Sequence, residues 1–142
     1  MAQEAADDRM KSLQELEHAD WGEPNYDSYL VTTCHRLRRK PLMEFTIEDL
    51  RIMIGQQIGL PYLLPLALDH LAENPWSSGD LFPGDLLTNV ARVPPQFWQQ
   101  HPELQDRMNW VVFQLEQLRE TAEEAVAMYK QANPREDPQP DG

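Results

Sequence analysis

The sequence predicts an all-α fold: a single compact bundle of about five to seven helices, ending in a long C-terminal helix. Three observations carry this. Apolar residues recur at three- and four-residue steps in successive segments. Ser, Thr and Asp stand where those segments begin, and Gly or Pro where they end. No alternating β-branched run and no Asn-Gly turn signals a hairpin.

In chain order, residues 1–11 are polar and are expected to be a flexible N-terminus. Ser12-Leu13-Gln14-Glu15 has capping-box spacing and opens a short helix with Leu13 and Leu16 on one side. Asp20–Tyr26 reads as a loop from its Gly, Pro and Asn, with Trp21 and Tyr26 to pin it. Asp27 or Ser28 can cap a helix over about 29–38, which carries Leu30, Val31, Cys34 and Leu37. The basic run Arg36, Arg38, Arg39 and Lys40 suits that helix's negative end, and Pro41 stops it.

Thr46 and Asp49 form a second capping box, with Phe45 placed to staple. Leu50, Met53, Ile54 and Ile58 follow at helical spacing, and Gly59 is the expected left-handed terminator. Pro61 opens the next helix, with Pro65 expected in its first turn and Leu64, Leu68 and Leu71 buried. Asn74-Pro75 ends it. After the loop 76–82, Pro83 begins a short helix to about Ala91 that carries Leu86, Leu87 and Val90. Gln96–Gln100 forms one turn. The last helix runs from Pro102 to about Gln131, with Leu104, Met108, Val111, Leu115, Leu118, Ala122, Ala125, Val126 and Tyr129 as its buried stripe. The domain is thus expected over 12–132, with a Pro-rich disordered tail at 133–142.

The net charge is −12, from 24 acidic and 12 basic residues. Such a surface repels nucleic acid and anionic membranes and steers basic partners toward it. Neither class of ligand is therefore expected, and the four basic residues at 36–40 stand alone against that repulsion. A single cysteine, Cys34, excludes an internal disulfide and fits a reducing compartment. The N-terminus is acidic and lacks an apolar stretch. The longest apolar run, near Leu60–Leu68, is too short to span a bilayer. A soluble cytoplasmic protein is the expectation.

No catalytic constellation assembles. Glu15-Leu16-Glu17-His18 holds one Glu-x-x-His pair, where a carboxylate di-iron bundle needs two pairs and two further glutamates. His35 follows Cys34 directly, and adjacent helical residues point about 100° apart, so the two do not meet as base and nucleophile. There is no phosphate-binding glycine loop and no nucleophile elbow. No enzyme activity, metal or cofactor is expected.

The most informative feature is a gap. From Ile52 through Ala91 there is no Lys or Arg, while the same stretch holds Asp69, Glu73, Asp80 and Asp85 beside Trp76 and Phe82. Acids rimming exposed aromatics suit a binder of a basic surface. These six residues are the candidate binding site, although each aromatic alone also reads as a plug for the bundle.

The segment Phe45-Thr46-Ile47-Glu48-Asp49-Leu50-Arg51-Ile52-Met53-Ile54-Gly55-Gln56-Gln57-Ile58-Gly59-Leu60 resembles the central segment of the bacterial contact-dependent growth inhibition (CDI) immunity proteins. Gly79-Asp80-Leu81-Phe82-Pro83-Gly84-Asp85-Leu86-Leu87, Asp20-Trp21-Gly22-Glu23-Pro24 and Tyr26-Asp27-Ser28 are similar to that family too. The resemblance covers about residues 12–98. It implies a cytoplasmic helical protein that neutralises the toxic C-terminal domain of a surface-delivered effector, often a basic nuclease. It brings no catalytic residues with it. A bundle that is monomeric before it binds one toxin domain is the expectation. The rival reading is an acidic helical adaptor or regulatory protein with another basic partner.

Overall fold

The computed structural model describes residues 8–25, 28–135 and 138. Among them are seven α-helices and one 3-10 turn, with no strand. The helices are α1 (Leu13–Glu17), α2 (Tyr29–Arg38), α3 (Ile47–Gly55), α4 (Leu60–Glu73), α5 (Asp85–Ala91), α6 (Pro95–Gln100) and α7 (Pro102–Ala132), and the 3-10 turn is Leu42–Glu44. The all-α fold and the long last helix are as the sequence predicts.

Local chemistry sets the helix starts. Ser12 and Thr46 each close a full capping box, with Glu15 and Asp49 respectively. Ser28 caps α2 by accepting from the Val31 amide, and the other candidate cap, Asp27, lies outside the described residues. The end of α3 departs from expectation. Gln57, at φ 59°, takes the left-handed position instead of Gly59. The Ile58 and Gln57 amides donate back to Met53 and Ile54 carbonyls at 2.9 Å each, a Schellman closure two residues earlier than the sequence suggests. Gly59, at φ 65°, instead leads into α4, where a Cβ would lie 2.7 Å from Leu13 Cδ1. A second departure is Pro65, which sits inside α4 and not in its first turn.

Helices α3 and α4 form the centre. Helix α3 packs on α2, α4 and α5, and α4 also packs on α5 and α7. Leu50, Met53, Ile54, Leu63, Leu64, Leu68, Leu71, Leu86 and Val90 are fully buried there. Leu13 and Leu37 close one end, and Leu104 and Val111 bring in the first half of α7.

Two polar features complete the frame. The Arg38 guanidinium is buried at 2% exposure, ion-paired with Glu17, donating to the Ala19 carbonyl at 2.7 Å and lying 4.2 Å over the Trp21 ring. This pins the 18–25 loop to α2. Lys40 pairs with Asp49 at 2.6 Å and Arg39 with Glu23 at 3.4 Å, so three of the four basic residues in this run are engaged within the chain. Most of the expected flexible N-terminus and tail lies outside the described residues. Within 8–11, Arg9 pairs with Asp69 at 3.0 Å, and the Lys11 carbonyl accepts from the Leu42 amide at 3.0 Å.

Candidate functional site

The connection between α4 and α5 is a built loop. The Asn74 side chain accepts from the Trp76 amide at 3.0 Å, and Ser77 Oγ donates to the Asn74 carbonyl at 2.6 Å. The Gly84 amide donates to the Trp76 carbonyl at 3.2 Å, drawing the two ends of the loop together. Gly84 has φ 90°, and a Cβ there would meet Trp76 Cε3 at 3.1 Å, so the missing side chain gives the indole its seat.

Asp85 organises the middle of the loop. Its carboxylate accepts from the Gly79 amide at 2.7 Å and from the Leu81 amide at 3.1 Å. Burial would by itself raise this carboxyl, but the amides of Gly79, Leu81, Phe82 and Leu86 outweigh it and hold it below the usual range. Arg51 Nε stands 3.8 Å away and binds Glu48 through two nitrogens, at 2.5 and 2.8 Å. The hydrogen bond from Arg51 lowers the Glu48 carboxyl, whose Oε1 also accepts from the Asp80 amide at 3.1 Å. A Glu48–Arg51–Asp85 cluster thus clamps residues 79–81.

Above this clamp the loop presents Trp76, Leu81 and Phe82 at 52%, 63% and 48% exposure. Asp80 is exposed beside them, and Glu73 is exposed at the end of α4. Of the six candidate residues, Glu73, Trp76, Asp80 and Phe82 are therefore surface groups around one loop. Asp85 is corrected: at 2% exposure it lies beneath the rim and not on it, because its carboxylate serves the loop amides. Asp69 is exposed, but Arg9 and Arg107 bind it at 3.0 and 2.6 Å. The basic-free stretch is therefore partly neutralised by Arg9, Arg51 and Arg107, arginines the sequence places outside it.

Helix α7 supplies what the sequence misplaces. Leu104 and Val111 are buried, and Met108 and Leu115 pack against the core. From Glu116 to Ala132 every residue is exposed, so the predicted buried stripe is covered only in its first half. The physical reason is length. A 31-residue helix is about 46 Å long and the 14-residue α4 about 21 Å. Among the described residues, no helix covers the second half of α7. Where α7 leaves the body, Trp76 and Leu87 face Val112, Leu115, Leu118 and Ala122 across an open apolar groove of about 600 Å³. On the other side, Trp110 and Phe113 stack at 5.6 Å, near Glu73 and Pro75.

Among the described residues no group of three or more His, Cys, Asp or Glu could hold a metal ion. No described helix is long and apolar enough to cross a membrane. Cys34 is buried, and burial raises its thiol above the ordinary value, which disfavours the reactive thiolate. The family model described as CDI immunity proteins matches residues 15–108, about two thirds of the chain. No curated protein and no solved structure matches the chain.

Proposed function

Because the chain belongs to the CDI immunity proteins, we propose that it works by binding the toxic C-terminal domain of its cognate effector through the face around the 74–84 loop. Membership makes its role immunity against a CDI toxin. The finer reading is that the toxin is a basic nuclease, that the chain meets it in the cytoplasm as a monomer, and that it acts by covering the toxin's active site or an adjoining exosite, without chemistry of its own.

The observation that carries the site is the clamped loop. Trp76, Leu81 and Phe82 are held out from the body on a backbone that Asp85 and Glu48 fix by hydrogen bonds. Exposed aromatics on a preorganised loop lose little freedom on binding and are typical anchors. Glu73 at the start of the loop and Asp80 in its middle form an acidic rim, and Asp69, already held by two arginines, adds least. Charge on the rim speeds encounter with a basic surface.

The test is capture of the purified effector C-terminal domain by the chain and by a Trp76→Ala/Phe82→Ala variant. The variant is expected to keep its helical spectrum and to lose at least about tenfold in affinity, as aromatic anchors do. Unchanged capture and unchanged protection of toxin-producing cells would place the contact elsewhere.

A further inference from the structure

We infer that the overhanging half of α7, with Trp76 and Leu87 at its base, is a docking groove for one amphipathic helix of a basic toxin domain, apolar along the ridge that enters the groove. This rests on the immunity reading and adds a specific surface and a specific kind of partner to it.

The stripe has coiled-coil spacing. Leu104, Met108, Val111, Leu115, Leu118, Ala122, Ala125, Tyr129 and Ala132 follow one another at alternating steps of four and three residues, the heptad seam that another helix packs into. The body of the protein fills the first half of that seam and leaves the second half open. In the seam Leu118 and Tyr129 are 49% and 68% exposed, and Val126, flanking it, is 51% exposed. The open part begins at the Trp76–Leu87 groove, so it continues the loop face without a break.

Charge selects the occupant. Glu116, Glu120, Glu123 and Glu124, on the helix face away from the seam, outweigh Arg119 and Lys130 and leave the overhang at −2. A second copy would bring the same acids and another net −12. A helix from a basic domain is instead drawn to that net negative charge by long-range attraction. Size agrees. Residues 115–132 span about 27 Å, and with a helix width of about 10–12 Å they offer roughly 300 Å² of projected face. That is well short of the roughly 800 Å² per partner of a stable standard interface. Joined to the loop carrying Trp76 and Phe82, it becomes one flank of a larger surface. The family match ends at Met108, so this half of α7 lies beyond the matched segment, where a surface fitted to one particular toxin is expected.

The experiment is titration calorimetry of the full chain with the C-terminal toxin domain of its cognate CDI effector, with sedimentation of the chain alone. The Leu118→Asp/Val126→Asp variant is expected to melt like wild type, since neither side chain is buried, and to lose about 100-fold in affinity. A second variant, Glu120→Lys/Glu123→Lys, leaves the seam intact and is expected to slow association about tenfold at low salt. Wild-type affinity in both variants would overturn the inference while the immunity reading stands, because the unmodified chain still binds. A concentration-dependent dimer that the Leu118→Asp/Val126→Asp variant abolishes, with toxin affinity unchanged, would also overturn it, by making the seam a contact between copies. Failure of the wild-type chain to bind or protect would instead bring down the reading on which the inference rests.

Discussion

Replacing Asp85 by Asn removes one charge and almost no volume, and the structure sets what that costs. The carboxylate accepts from two amides on separate oxygens, Gly79 at 2.7 Å and Leu81 at 3.1 Å. An Asn side chain offers one acceptor oxygen and turns an NH2 toward the other amide, so one bond is lost and its donor faces another donor. A hydrogen bond to a charged group contributes about 1.5–3 kcal/mol, and the partner Arg51 loses its neighbouring charge. The expected loss is about 2–3 kcal/mol, or a fall in Tm of about 6–12 °C for a domain of this size. Circular dichroism melting at neutral pH measures it. A melt within about 2 °C of wild type would refute the claim that Asp85 clamps the loop. A second readout follows from pH. Asp85 and Glu48 both titrate below their ordinary values. Their stabilisation is full above about pH 5, where unfolded carboxyls are ionised, and fades as pH falls through the lower folded values. The wild type should therefore lose stability on acidification below about pH 5, and Asp85→Asn should lose less over the same range. Equal slopes in the two proteins would contradict the assignment.

Two further substitutions test the frame beneath the site. Arg38→Ala should cost about 3 kcal/mol by emptying a buried volume and losing the Ala19 carbonyl and Trp21 ring as partners, while Arg38→Lys should cost less, keeping the charge without the planar fork; denaturant melts of the pair that gave equal and negligible losses would show the guanidinium to be a bystander. Gly59→Ala should cost about 2 kcal/mol, since an L side chain at φ 65° is strained and its Cβ runs into the fully buried Leu13; a chemical melt with an unchanged midpoint would refute this.

The helices were legible because their determinants are local. Ser12–Glu15 and Thr46–Asp49 announce their caps in four residues, and the Leu50–Ile54 and Leu64–Leu71 periods mark their buried faces directly. What escaped depends on distant pairing. Asp85 reads as a rim acid in sequence, and only the fold brings the Gly79 and Leu81 amides to it and places Arg51, from α3, beside it. Asp69 likewise meets Arg9 and Arg107 from the two ends of the chain. The open seam on α7 left a trace that could have been followed. A 31-residue periodic helix outruns a body whose next longest helix has 14 residues, so part of its apolar stripe has no neighbour to cover it. Periodicity alone reports that a face is apolar and says nothing about whether its own chain buries it.

The most direct measurement is hydrogen exchange of the full chain alone and saturated with its cognate effector's C-terminal domain, in the same buffer. Toxin binding through the loop and the α7 seam predicts that added protection is concentrated in residues 74–84 and 112–132, the second an exposed helix that frays readily when alone. Tight binding with protection confined to α1, α2 and the loop between them, and none at 74–84 or 112–132, would contradict it.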